Sequence, residues 1–291
     1  MSNILKYKTT DGNPVTDNEW INNSKSGDQY QEDGWWCFQL KDGVNEIGDY
    51  AFSNDEHLTA ITFPDVITYI GDHAFSGCEY LSGDLILPPN LEHLGDWAFY
   101  GAGIIDWDNP STYRAPDGAV TIPSTCKYVG NEIFHDNGVV TVYFNADNCE
   151  TNPTPDSDVE TNFGNEFENL IIGEGVKTIN SYVIGLYPGF PLQTIEISST
   201  VETIADSGLP AATNVVSYAV VPPALGEHNF THWRVTEKTL CVYEKSLGAY
   251  QNSNWVNFFT NIITMPNPPE PEPTCGFNLS GMIDIDYMRE I

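Results

Sequence analysis

Ile47-Gly-Asp-Tyr-Ala-Phe52 returns as Ile70-Gly-Asp-His-Ala-Phe75 and again as Leu94-Gly-Asp-Trp-Ala-Phe99. Weaker copies follow at Val129-Gly-Asn-Glu-Ile-Phe134, Ile179-Asn-Ser-Tyr-Val-Ile184 and Ile204-Ala-Asp-Ser-Gly-Leu209. The first two steps, Phe52 to Phe75 and Phe75 to Phe99, are 23 and 24 residues. Self-similarity at a fixed period of this size is the sequence mark of a repeat architecture. The step to Phe134 is 35, so 35 − 24 = 11 residues are inserted after the third copy. The step from Phe134 to Ile184 is 50, about two periods, and Phe163 fits the missing copy between them; the last step, to Leu209, is 25.

A second phrase lies between these marks. Leu58-Thr-Ala-Ile61-Thr-Phe63-Pro64, Val139-Val-Thr-Val142-Tyr-Phe144, Phe167-Glu-Asn-Leu170-Ile-Ile172-Gly173 and Leu192-Gln-Thr-Ile195-Glu-Ile197-Ser198 share it. Its last four residues alternate apolar and polar, which predicts a strand. The Pro or Gly that follows ends it. The Asp of the Ile-Gly-Asp phrase is expected to cap a single helical turn carrying Ala-Phe. One unit of about 24 residues cannot bury its Ile, Leu and Phe alone; stacking puts each on its counterpart and builds a continuous core from neighbour contacts. The expected fold is a repeat solenoid of parallel β-strands with short helical turns and capped ends.

The combination resembles the BspA-type (Treponema-type) leucine-rich repeat family, whose unit reads L-x-x-I-x-L-P-x-x-V-x-x-I-G-x-x-A-F. The resemblance covers about residues 44–221, some seven units, and the stretch Val139 to Gly173 is similar to a longer repeat variant. Leu5-Lys-Tyr-Lys-Thr-Thr-Asp-Gly12 resembles the opening of an N-terminal cap, placed at 1–43. Val221-Pro-Pro-Ala-Leu-Gly226, Leu240-Cys-Val-Tyr243 and Ala249-Tyr-Gln-Asn-Ser-Asn-Trp255 resemble a C-terminal cap, placed at 222–265. Ile184 and Leu209 replace Phe, and Ser181 and Ser207 fill polar slots, departures expected to loosen the packing or alter the turn. The resemblance implies non-catalytic binding. Relatives serve in adhesion at the surface of host-associated bacteria, and similar proteins are carried by phages of such bacteria.

The apolar strand positions point inward, so their neighbours point out. The outward pairs are expected at Ala60/Thr62, Asp84/Ile86, Ala119/Thr121, Thr141/Tyr143, Asn169/Ile171, Thr194/Glu196 and Ser217/Ala219. An exposed solenoid sheet commonly binds ligand, although a sheet also prefers Thr and other strand formers for its own sake. Thr62, Ile86, Thr121, Tyr143, Ile171 and Glu196 are therefore candidate ligand contacts. The insertion from Gly103 to Gly118 adds Trp107 and Tyr113, which either stack on a sugar or anchor a protein contact, or fold back over the core.

Charge narrows the partners. The 291 residues hold 41 Asp+Glu and 11 Lys+Arg, a formal charge of −30. Such a surface repels nucleic-acid phosphate and anionic lipid, so neither is expected as a partner. With 41% hydrophobic and 12% aromatic residues the chain is not a disordered acidic polymer. No run approaches the roughly 20 apolar residues of a membrane span. The opening Met1-Ser-Asn-Ile-Leu-Lys lacks the apolar core, about 7–15 residues long, of a secretory signal. Six cysteines are scattered without a C-x-x-C pair, and most read as small buried side chains.

Catalytic motifs are not found: the sequence has no G-x-G-x-x-G, no phosphate-binding G-x-x-x-x-G-K, no G-x-S-x-G and no H-E-x-x-H. Carboxylates are so abundant that a glycosidase-like pair carries no information. No enzyme and no cofactor is expected. His228 and His232, four apart, are a weak metal candidate. Calcium is the better inorganic candidate, since Asp156, Asp158 and Glu160 alternate as oxygen ligands would, but Thr161 stands where a calcium loop needs Gly and Phe167 where it needs Glu.

The C-terminal end has its own logic. Pro266-Asn-Pro-Pro-Glu-Pro-Glu-Pro273 is a linker, extended over about 25 Å as polyproline II. Beyond it, Ile283-Asp-Ile-Asp-Tyr287 alternates strictly, and Phe277, Leu279 and Met282 add apolar mass. A lone strand is unstable in water. Residues 274–291, with Ile283, Ile285 and Tyr287 as the apolar face, therefore read as a docking peptide for a virion protein or another copy of the chain; a disordered end or a strand folded back on the solenoid remain alternatives. The expected setting is a phage virion surface, where the chain binds a host surface protein or glycan, with a bacterial cell-surface adhesin as the alternative.

Overall fold

The computed structural model describes residues 3–16, 18–81, 85–103, 118–137, 139–151, 163, 167–184, 191–230 and 237–268. The chain runs β1 (Ile4–Thr9), α1 (Glu19–Ser24), β2 (Tyr30–Glu32), β3 (Trp35–Gln39), β4 (Glu46–Ile47), β5 (Leu58–Thr62), β6 (Tyr69–Ile70), β7 (His93–Leu94), β8 (Ala119–Ile122), β9 (Tyr128–Val129) and β10 (Thr141–Phe144). It continues through β11 (Asn169–Ile172), β12 (Thr178–Ile179), β13 (Leu192–Ile197), β14 (Thr203–Ile204), β15 (Ala212–Ser217), β16 (Ala224–Leu225), β17 (Thr239–Tyr243), α2 (Leu247–Gln251) and β18 (Asn261–Met265). This is a stack of coils, a parallel-strand solenoid with little helix. Successive coils build a long sheet, ordered β18-β17-β15-β13-β11-β10-β8, and two short sheets of two-residue strands, β4-β6-β7-β9 and β12-β14-β16, while β5 joins the cap's sheet β2-β3-β1-β5.

The helical turn expected after Ile-Gly-Asp is not formed. Its N–H groups turn to the next coil: Tyr50 donates to the Asp72 carbonyl at 2.9 Å, Phe52 to Ala74 at 2.7 Å, and His73 to Asp96 at 2.8 Å. A helix would spend those donors within the turn. The fourth residue of each phrase instead takes a left-handed conformation, from Tyr50 (φ 58°), His73 (φ 53°) and Trp97 (φ 52°) to Tyr182 (φ 63°) and Ser207 (φ 56°). The Asp caps its neighbour, not itself. Asp49 Oδ1 accepts the Asp72 N–H at 3.0 Å, Asp72 Oδ1 the Asp96 N–H at 2.8 Å, and Asp96 Oδ1 the Asn131 N–H at 2.7 Å.

This latch explains the Gly. A Cβ on Gly95 would stand 2.6 Å from the Asp72 nitrogen and 2.6 Å from the Gly71 carbonyl carbon. The Asp of one coil fills the space that the Gly of the next leaves open.

Inside, the Phe residues form one stack. Phe52–Phe75 and Phe75–Phe99 centroids lie 5.1 and 5.0 Å apart with rings nearly parallel, and Phe99–Phe134 lie 5.9 Å apart. Phe163 takes the missing place, 6.1 Å from Phe134. Fully burying such a ring is worth about 1.5–3 kcal/mol. Ile184 and Leu209 are as buried as the Phe residues they replace, so the core is not loosened there.

Both ends of the stack are closed by aromatic side chains. At the N-terminus β1 pairs antiparallel with β5, Trp20 of α1 meets Phe52 at 5.6 Å, and Asn18 ties the cap to the first coil through the Ala51 carbonyl at 2.7 Å. At the other end Phe230 meets Trp255 and Phe259 at 5.6 and 5.1 Å. Leu225-Gly-Glu-His-Asn-Phe230 is one more copy of the turn, with His228 at φ 60°, in a stretch the sequence reading assigned to the cap.

Candidate binding face

The outward side chains of the long sheet form two rows held in register by strand pairing. One row runs Ala119, Thr141, Asn169, Thr194, Asn214, Thr239 and Asn261. The other runs Thr121, Tyr143, Ile171, Glu196, Val216, Cys241 and Ile263. Of these fourteen residues one is charged, on a chain in which 18% are. Glu196 does not stand bare, because the Tyr218 hydroxyl donates to its Oε2 at 2.9 Å. Burial, followed by that bond and the carboxylate charge, pushes the Tyr218 hydroxyl up to about 12. Burial also raises the thiol of Cys241, which is half-exposed in the row.

Four of the predicted contacts, Thr121, Tyr143, Ile171 and Glu196, therefore share one row. Thr62 is exposed on β5, which belongs to the cap's antiparallel sheet. Ile86 is 72% exposed but lies outside any strand. Among the described residues a hollow of about 500 Å³ lies between β5 and β8, and its lining includes Trp35, Ile61, Leu85 and Leu87. Ser217 and Ala219 were expected outside and lie inside, 0% and 2% exposed. Pairing of β15 with β13 sets Val215 opposite Ile195, which turns Asn214 and Val216 outward and sends the Ser217 hydroxyl to the Tyr250 hydroxyl at 2.6 Å.

Asn214, Val216, Thr239, Cys241, Asn261 and Ile263 were missed as members of the face. The signal was present in the alternation of Thr239-Leu-Cys-Val-Tyr243, read as cap. Trp107 and Tyr113, Asp156, Asp158 and Glu160, His232, Asp84, and Phe277, Leu279, Met282, Ile283, Ile285 and Tyr287 all lie outside the described residues.

A second surface was not anticipated. Tyr69, His93 and Tyr128 stack face to face at 4.3 and 4.5 Å on the short sheet. Tyr50, His73 and Trp97 stack at 4.7 and 5.1 Å over the turns beside it. Burial lowers the His93 pKa against the raising influence of Asp72, Asp96 and Asp49. The faces between neighbouring rings are spent on one another. Aligning the fourth residue of each phrase would have revealed the second ladder.

Among the described residues no group of three His, Cys, Asp or Glu side chains could hold a metal. Cys37, Cys78, Cys126 and Cys149 are buried free thiols. No helix of the described residues is long and apolar enough to cross a membrane. The sequence model of the BspA type leucine rich repeat region matches residues 38–115 and 118–215, in six copies. No curated protein matches the chain.

Proposed function

Because the chain belongs to the BspA-type leucine-rich repeat family, we propose that it is a non-catalytic binding module that displays the face from β8 to β18, carried on a phage virion and held there by residues 274–291. The observation that carries the binding role is the pair of rows with a single carboxylate on a chain of charge −30. Desolvating a charge on binding is expensive, so a face with one carboxylate among fourteen residues is where contact costs least. A sheet kept soluble for its own sake would carry the Asp and Glu that crowd the rest of the surface. The virion assignment is supported by the sequence alone, through the five prolines of 266–273 and the alternating apolar pattern Ile283-Asp-Ile-Asp-Tyr287 behind them, a pattern suited to adding an edge to a partner's sheet.

The test uses the full chain and a double variant, Ile171→Lys with Val216→Lys. The intact chain is expected to bind host bacterial cells, and the variant to lose at least tenfold in affinity at unchanged melting temperature. Equal binding by both would remove the face from the function. The carrier is tested separately, by sedimentation. Fixed copy number on phage particles supports the virion role, while surface labelling of intact bacterial cells that produce the chain points to an adhesin.

A further inference from the structure

The two rows differ chemically, and the difference bears on what they hold. The first offers, strand after strand, Thr141, Asn169, Thr194, Asn214, Thr239 and Asn261. Each is a hydroxyl or amide able to donate and accept. Among the described residues Asn214 alone of these makes a side-chain hydrogen bond, a long one of 3.4 Å to the Gln193 carbonyl. The second row sets apolar surface beside them at Tyr143, Ile171, Val216, Cys241 and Ile263. A ligand along the solenoid axis thus meets the same pair, one hydrogen-bonding group and one apolar patch, on β10, β11, β15, β17 and β18, while β13 sets Glu196 beside Thr194 and β8 sets Thr121 beside Ala119.

The pitch of that pair is the strand spacing, about 4.7–4.9 Å, and seven strands span roughly 29 Å. A peptide strand laid along the axis advances about 3.3 Å per residue and twice that between side chains on one face, so it falls out of step within two strands. A pyranose in an extended, equatorially linked chain advances by close to one strand spacing. It carries hydroxyls on its rim and C–H groups on its faces, the complement of the two rows. A polyanionic glycan is repelled by the charge of −30. A polycation finds one carboxylate in the rows, already bonded to Tyr218. A globular protein partner calls for clustered Trp, Tyr and Arg anchors, and the rows hold a single aromatic ring, Tyr143.

We propose that the face binds an uncharged, extended polysaccharide along the solenoid axis, one sugar to a strand. This rests on the binding role proposed above and names its ligand. Tyr143 supplies the ring on which one sugar stacks.

The experiment titrates the full chain with neutral oligosaccharides of two to eight sugars, from cello-, manno- and chito-series, and with hyaluronan fragments as the anionic control. One neutral series is expected to bind with affinity that rises with length to about six sugars and then levels. Hyaluronan is expected not to bind. Cys241 gives a second readout, because it sits inside the row. Its alkylation, followed by mass spectrometry of the Cys241 peptide, should slow several-fold with the bound oligosaccharide. The double variant Asn169→Ala with Asn214→Ala should weaken binding about tenfold at unchanged melting temperature. The proposal is overturned if no neutral series binds, if affinity levels at two sugars, if hyaluronan binds equally, or if Cys241 reacts at the same rate throughout. Should the oligosaccharides fail while cell binding still depends on Ile171 and Val216, the ligand is of another class and the binding role survives.

Discussion

The coils that carry Phe52 to Phe134 and those that carry Ile184 and Leu209 hold together by different means. In the first group the turn is the invariant part. Gly packs under the Asp of the preceding coil, that Asp caps the next backbone, and Phe stacks on Phe. Among the described residues their long sheet is imperfect, since β5 pairs with the cap and no strand is formed by the described residues around Ile86. In the second group Asn180 and Ala205 replace Gly, and aliphatic side chains replace Phe. There the long sheet is unbroken, from β11 to β18. Stability rests on turns at one end and on strands at the other. The face proposed to bind ligand lies where the sheet is continuous and the sequence repeat is weakest.

The sharpest way to break this contrast is to remove a ring from the middle of the stack. Phe75 lies between Phe52 and Phe99 and is fully buried. Phe75→Ala is expected to cost about 3–5 kcal/mol, by lost transfer energy plus a cavity the stacked coils cannot collapse. Urea denaturation measures it. Leu209→Ala, at the matching place among the strand-held coils, is expected at the lower end of about 2–5 kcal/mol. If the leucine variant loses more than the phenylalanine variant, the division between turn-held and strand-held coils is wrong.

A smaller effect tests the latch. Gly95→Ala drives a Cβ against backbone atoms of Gly71 and Asp72, which side-chain rotation cannot relieve. Overpacking of this kind costs about 1–3 kcal/mol. Ala205 stands at the same place in the second group, where a Cβ is native, so Ala205→Gly should lose no more than about 1 kcal/mol, through chain entropy. A harmless Gly95→Ala would mean that the Gly of the repeat serves something other than the passage of the Asp.

Most of the fold was legible because hydrophobic stacking needs the same side chain at the same place in every unit, and identity at a fixed period is visible in one sequence. The turn conformation was not. Ile-Gly-Asp-Tyr-Ala-Phe suits a capped helical turn locally, and what prevents it is the next coil's carbonyls, partners 22 or 23 residues away. The face was legible where alternation is clean, as at Thr121, Tyr143, Ile171 and Glu196. It failed at Ser217, where Asn214-Val-Val-Ser217 has two adjacent apolar residues and only pairing with β13 decides which points in. The ring ladders were missed for a related reason: Tyr, His and Trp differ as letters but present the same flat surface to a neighbour.

The smallest predicted effect concerns those ladders and separates the first group from the second by pH. His93 is half-buried between the rings of Tyr69 and Tyr128, and burial lowers its pKa below the ordinary value near 6.5. Asp72, Asp96 and Asp49 pull the other way, and burial prevails. The unfolded chain therefore takes up a proton at this residue before the folded one does. Stability from the neutral ring is complete above pH 6.5 and is lost as pH falls through the folded value. Melting temperature should drop between pH 7 and pH 5 in the native protein, and by less in His93→Phe, which keeps the stack and removes the titration. The second group has no histidine in its short sheet β12-β14-β16, so a pH-dependent opening should begin among the first coils. Hydrogen exchange at pH 5 would locate it. Equal slopes for native and His93→Phe would show that the carboxylates, not the buried ring, govern the acid response.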